Sequence, residues 1–173
     1  MKRIVTACAL VLSVVFAASS FGADGAKIGS VDIQKVLLTS DAGKEAKEQL
    51  AGKGNKYETE KNSREEELRK LKGELEKQSV VLSDEARKTK EQLFMQKRKD
   101  LDRFLKDAQE DLQAKNDELT SRLVEEIVKV IQDYGKKNGF SVVFVKNESM
   151  VFVDEKVDLT DEILKAFNTT KKK

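Results

Sequence analysis

Between Gly43 and Asn138 the chain is almost unbroken charge thinly striped with leucine, and neither this stretch nor the rest of the 173 residues contains a proline. A segment this polar cannot bury enough apolar surface to form a globular core alone. With no proline to interrupt it, nothing local prevents a long helix. The run breaks once, at Ser79-Val80-Val81-Leu82-Ser83-Asp84, and short β-capable segments lie on both sides of it. The expected fold is therefore α+β. A long antiparallel helical hairpin, a tentacle spanning residues 43–138 with its turn near 79–84, projects from a small β-strand body built from residues 23–42 and 139–173.

The first arm helix is expected to begin near Ala42-Gly43, after the capping side chains Thr39, Ser40 and Asp41, and to run to Gln78. From Ala51 to Ser79 its apolar residues are only Ala51, Tyr57, Leu68, Leu71 and Leu75. Leu50, Tyr57 and Leu71 share one heptad register and Leu68, Leu75 and Leu82 the complementary one, but Lys61 and Arg64 occupy seam positions. Gly52, Gly54 and Gly73 each cost a helix up to about 1 kcal/mol relative to alanine, and a bend is expected at Gly52-Lys53-Gly54. The second helix has a plausible N-cap in Ser83, acids at Asp84 and Glu85 suited to the helix dipole, and a stop at Asn138-Gly139. From Asp84 to Lys137 it would extend roughly 80 Å.

In the body, Lys27 to Leu38 reads as opening in a strand carried by Ile28, Val31 and Ile33. Phe140–Val145 and Met150–Val153, separated by the polar Lys146-Asn147-Glu148-Ser149, read as a β-hairpin. A short helix follows from the Asp158–Glu162 cap through Phe167, before the Lys171–Lys173 tail. About three strands and one short helix make a very small core. Either the sheet packs only on its own helices, or several chains complete one another. The second reading is favoured, with Ile28, Val31, Val142, Phe144, Val151 and Val153 forming the oligomeric body.

Composition narrows the function. Met1-Lys2-Arg3 followed by the apolar run Ile4–Phe16 and small residues through Ala23 has the layout of a signal peptide, residues 1–22, cleaved after Ser20 or Gly22. The run is shorter than the roughly 20 residues that span a bilayer. Cys8 lies near its start, so cleavage leaves no cysteine and no disulfide or thiolate nucleophile. Of 33 Lys+Arg against 31 Asp+Glu, loss of Lys2 and Arg3 leaves 31 of each, which gives no general case for nucleic-acid binding. There is no histidine, so the usual zinc sites and histidine-dependent triads cannot be built. No catalytic residue, cofactor or metal is expected, and no Walker loop is present.

The opening Ile28–Ala46 (IGSVDIQKVLLTSDAGKEA), the long charged hairpin, Gly139–Val153 (GFSVVFVKNESMVFV) and the closing Val157–Asn168 (VDLTDEILKAFN), in this order behind an export signal, resemble the Skp/OmpH family of periplasmic chaperones. The likeness covers essentially the whole mature chain. It implies a homotrimer with a β body and helical arms around a cavity. It further implies an ATP-independent holdase that binds unfolded outer-membrane β-barrel proteins in the periplasm. The mature charge is neutral, whereas members of the family are often strongly basic.

Two sets of arm residues are candidates for contact. Leu68, Leu71, Leu75, Leu93 and Phe94 either meet an unfolded client or simply pair the two helices. Arg87, Lys88, Lys97, Arg98 and Lys99 lie in a stretch from Glu85 to Lys106 where eight bases oppose four acids. They either meet anionic lipid, lipopolysaccharide or acidic parts of clients, or form a solvated face. The rival reading is an extracytoplasmic structural or regulatory coiled coil, a spacer or a cell-wall enzyme activator. That reading calls for tighter heptads than these.

Overall fold

The computed structural model describes residues 25–78 and 83–171, so the expected signal segment with Cys8, the turn residues 79–82 and the last two lysines lie outside the described residues. Strand β1 (Ile28–Val31) leads into a short helix α1 (Ile33–Thr39). The arm follows as α2 (Asp41–Gln78) and α3 (Asp84–Lys137). Strand β2 (Val142–Val145), a 3₁₀ turn (Glu155–Val157) and helix α4 (Thr160–Lys171) complete the chain. Helix and small sheet thus combine in the expected α+β manner.

The arm helices begin and end where their local chemistry dictates. The Ser83 side chain accepts a hydrogen bond from the Ala86 amide at 3.4 Å, with Asp84 and Glu85 in the first turn. At the other end of α3, Gly139 adopts φ 70°. The Phe140 amide donates to Gly135 O at 2.9 Å and the Gly139 amide to Lys136 O at 3.4 Å, the paired bonds of a Schellman stop. At 54 residues, α3 is roughly 80 Å long. Helix α2 continues through Gly52 and Gly54 without a break, so the expected bend is not an interruption of the helix.

The core sits where the base of the arm meets the body. Val31, Val36, Ala46, Leu119, Leu123, Ile127, Leu159, Ile163 and Phe167 are buried together, contributed by β1 and all four helices or their caps. Full burial of a side chain such as Ile127 or Phe167 stabilises by about 1.5–3 kcal/mol. The buried polar residues are satisfied. Ser30 Oγ donates to Val157 O, Ser40 Oγ accepts from the Gly43 amide, and Thr160 Oγ1 accepts from the Asp32 amide at 3.0 Å. The turn from α1 into α2 is tight enough that a side chain at Gly43 would run into the Leu37 carbonyl.

Three expectations for the body are corrected. First, β1 ends at Val31, and Ile33 begins a helix capped by Asp32, whose carboxylate accepts from the Lys35 amide at 2.8 Å. Second, Phe140–Val145 and Met150–Val153 do not form a hairpin. Strand β2 pairs in parallel with β1, Ile28 opposite Val142 through Val31 opposite Val145. Met150–Val153 lies outside both strands, and the sheet has two strands among the described residues. Strand β1 is instead bonded on both of its edges. Lys146 N donates to Val31 O on one edge, and Leu159 N donates to Ser30 O on the other, both at 2.8 Å. Third, Val31 is fully buried in its own chain's core and is not free for another copy. The last helix also runs one turn beyond Phe167.

Candidate functional site

Two surfaces are open to a partner, one on the arm and one on the base. On the arm, burial fades with distance from the core. In α3 beyond the core the buried residues are Ala108 and Leu101, and α2 buries none beyond Ala46 among the described residues. Tyr57 meets Phe104 edge to face, with ring centroids 5.9 Å apart, and the Arg64 guanidinium lies 4.5 Å over the Phe104 ring while pairing with Glu60. Asp111 accepts from the Tyr57 hydroxyl and from Lys53, each at 2.5 Å. Those two hydrogen bonds, the one from Lys53 first, hold the Asp111 carboxyl below its ordinary range, and the bond to Asp111 raises Tyr57. This rivet of aromatic rings and charge was not singled out in the sequence. Its signal was the spacing of Tyr57 and Arg64 opposite the Leu101–Leu105 segment.

Farther out, the expected contact residues come together. Lys97 reaches Glu67 at 2.9 Å and Lys90 reaches Glu74 at 2.8 Å. The bond from Lys97 lowers the Glu67 carboxyl. Leu68 and Leu71 fall between these two ties on α2, and Leu93 and Phe94 fall between them on α3. Leu68, Leu71, Leu75 and Phe94 are half-buried. Leu93 is 47% exposed, and Met95 and Leu105 are also exposed. Pairing of the helices therefore covers these side chains only in part.

The five basic candidates do not form one free patch. Lys97 is tied to Glu67, and Arg87 pairs with Glu91 at 3.0 Å. Lys88, Arg98 and Lys99 are exposed and make no ion pair among the described residues. On the base, Ile28, Val142, Phe144 and Val145 are 42–50% exposed, Val151 is 99% and Phe152 84% exposed, and Val153 is half-buried. The expected body residues other than Val31 are thus exposed or half-exposed apolar surface beside a strand edge. Asp158 anchors this face, accepting from Lys146 at 2.6 Å and from the Thr160 hydroxyl and amide. Burial pushes its carboxyl up, but these hydrogen bonds together hold it below its usual value. No helix among the described residues is long and apolar enough to cross a membrane.

A proline-free hairpin with a half-covered seam, standing on a small α+β base that leaves strand surface open, defines a helical-arm protein. The model of the OmpH-like outer membrane protein family matches residues 27–167, and the chain belongs to that family. An uncharacterized protein of Aquifex aeolicus is 30% identical over 154 residues, covering 89% of this chain and 91% of its own. The fold is shared with an OmpH-like outer membrane chaperone candidate from Caulobacter crescentus, known from a crystal structure. That comparison has a TM-score of 0.79 at 16% identity, over 84% of this chain and 85% of the other.

Proposed function

We propose that this protein is an ATP-independent periplasmic holdase, not an enzyme, that binds unfolded outer-membrane β-barrel proteins between helical arms and prevents their aggregation. The observation that carries the reading is the graded burial of the arm. Leu68, Leu71, Leu75 and Phe94 are half-buried and Leu93 is exposed, on a segment otherwise made of charge. Unfolded barrel strands alternate apolar and polar side chains and aggregate in water. Holding them calls for many weak contacts without a fixed register, and a thin apolar stripe in a solvated frame supplies such contacts. A spacer would need a buried seam to stay rigid, and the half-covered one here argues against that role.

The protein acts as a homotrimer in this reading. The apolar face of β2, its edge away from β1 and the exposed Val151-Phe152 segment are surfaces a second and third copy would cover, enclosing a cavity between the arms. The exposed Lys88, Arg98 and Lys99 add attraction for acidic client segments or for anionic lipid or lipopolysaccharide.

The deciding experiment dilutes an unfolded β-barrel protein from urea into the purified mature chain, with aggregation followed by light scattering and assembly by mass in solution. Suppression by a trimer is expected. A monomer that leaves aggregation unchanged overturns both parts of the reading. Serine at Leu68, Leu71, Leu75, Leu93 and Phe94 is expected to weaken capture per folded trimer. Unchanged capture with reduced arm helicity would assign these residues to helix pairing alone. Binding to anionic vesicles is expected to fall as salt is added, and salt-independent binding would remove the electrostatic contribution.

A further inference from the structure

The cross-helix ion pairs of the arm share one register. On α2 they fall at Lys53, Glu67 and Glu74, all at one heptad position, and on α3 at Asp111, Lys97 and Lys90, again in steps of whole heptads. Each step toward the tip on one helix is matched by an equal step on the other, so the pairs are rungs on a single face. Between the first rung and the outer two lies the level of Glu60 and Phe104, and there Arg64 pairs with Glu60 and covers the Phe104 ring. The sign also reverses along the ladder. The lysine is on α2 near the base, whereas both outer lysines are on α3.

The outer rungs are exposed or partly exposed. Lys97 and Glu67 are 46% and 55% exposed, and Lys90 and Glu74 are 27% and 52% exposed. Such pairs are individually weak and screened by salt. Inward of them, the Tyr57–Phe104 contact and the buried Leu101 and Ala108 join the helices by packing as well as charge. The outer third of the arm has rungs and half-buried side chains.

We propose that the Glu67–Lys97 and Glu74–Lys90 rungs are a salt-sensitive latch that holds the outer arm closed over Leu68, Leu71 and Phe94. Its opening is stopped at the Tyr57–Phe104 rivet. Opening turns the half-buried seam toward a client, so this role of the latch rests on the holdase reading. Because each rung is weak, loss of one shifts the opening equilibrium by about twofold to fivefold.

The test uses the full mature chain with nitroxide labels at Lys72→Cys and Gln92→Cys, both exposed sites on the outer arm, diluted with unlabelled chain. The label-to-label distance distribution is measured in low salt and in 1 M NaCl, alongside capture of a urea-unfolded β-barrel protein. The variant E67K/E74K places lysine opposite lysine. The variant E67K/E74K/K90E/K97E restores both rungs with reversed polarity. E48K/E65K makes the same change of charge away from the ladder. The expected result is a distance distribution broadened by high salt and by E67K/E74K, narrow again in the fourfold variant and unaffected by E48K/E65K. Capture in low salt is expected to strengthen about fourfold to twenty-five-fold in E67K/E74K alone, the product of two lost rungs. An unchanged distribution in E67K/E74K overturns the latch. A broadened distribution with unchanged capture, or equal gains in E67K/E74K and E48K/E65K, overturns its role in exposing the seam. Failure of the parent chain to capture any client would instead sink the holdase reading, while the distances still decide whether the latch exists.

Discussion

The base and the arm of this molecule are built from the same helices under opposite rules. At the base, α3 buries Leu119, Leu123 and Ile127 against β1, α1 and α4, and every buried polar side chain around Ser30, Ser40 and Thr160 has a partner. Beyond the rivet the same helix has only α2 beside it, and charge takes the place of packing. The difference shows how one continuous helix can be anchored at one end and adaptable at the other. Stability is set by how many elements surround a residue, and two helices alone cannot enclose a side chain on all sides.

The comparison is broken most directly by truncation. Phe167→Ala and Ile127→Ala are expected to destabilise the folded chain by about 3–5 and 2–5 kcal/mol respectively. Leu71→Ala in the arm should cost less than either, since its side chain is only partly covered. Chemical denaturation of the three variants checks this, and equal losses would erase the distinction between base and arm.

A smaller effect tests how the base is tied. Asp158 receives hydrogen bonds from Lys146 and from both the amide and hydroxyl of Thr160. Asp158→Ala is expected to cost about 1–3 kcal/mol. Because the folded-state pKa of Asp158 is lowered, its contribution is fully present above the unfolded value near 3.9. It is lost as the pH falls through the lower folded-state value. Acid titrations of the parent and of Asp158→Ala should therefore begin to converge as the pH falls below about 4. Parallel curves throughout would show that the carboxylate does not couple to folding.

The smallest effects come from glycine, and their sign sharpens the contrast. A methyl at Gly52 or Gly54 meets nothing within 4 Å. Alanine at either is expected to stabilise α2 by up to about 1 kcal/mol. Alanine at Gly43 meets the Leu37 carbonyl at the α1–α2 corner and is expected to destabilise. Thermal melts of the three single variants separate a glycine required by the base from glycines tolerated by the arm.

Much of the arm was legible from residues close together in the chain. Ser83 caps α3 and Asn138-Gly139 ends it, because capping and helix stops are satisfied by neighbours within a turn. The candidate contact residues Leu68, Leu71, Leu93 and Phe94 lie between two cross-helix ties that the sequence does not announce. That Lys97 is paired with Glu67 follows only from the alignment of two helices, which the leucine spacing left loose. In the base the reading was less complete. Val31-Asp32-Ile33 alternates as a strand would, while the capping bond from the Lys35 amide to Asp32 claims the same residues for a helix. Met150–Val153 has strand-forming side chains but pairs with neither strand, while β1 is bonded on both sides, by β2 and by the Asp158–Leu159 segment.

The sequence by itself determined a long helical hairpin, the capped ends of α3 and the poverty of apolar side chains, since these follow from local hydrogen bonding and composition. Only the tertiary structure decided how the base closes. There Lys27 meets the carbonyl of Asn138, 111 residues away, and β1 takes β2 as a parallel neighbour. It also decided which arm charges face one another. Such pairings depend on where distant segments meet in space, and the side chains that form them give no sign of their partners along the chain.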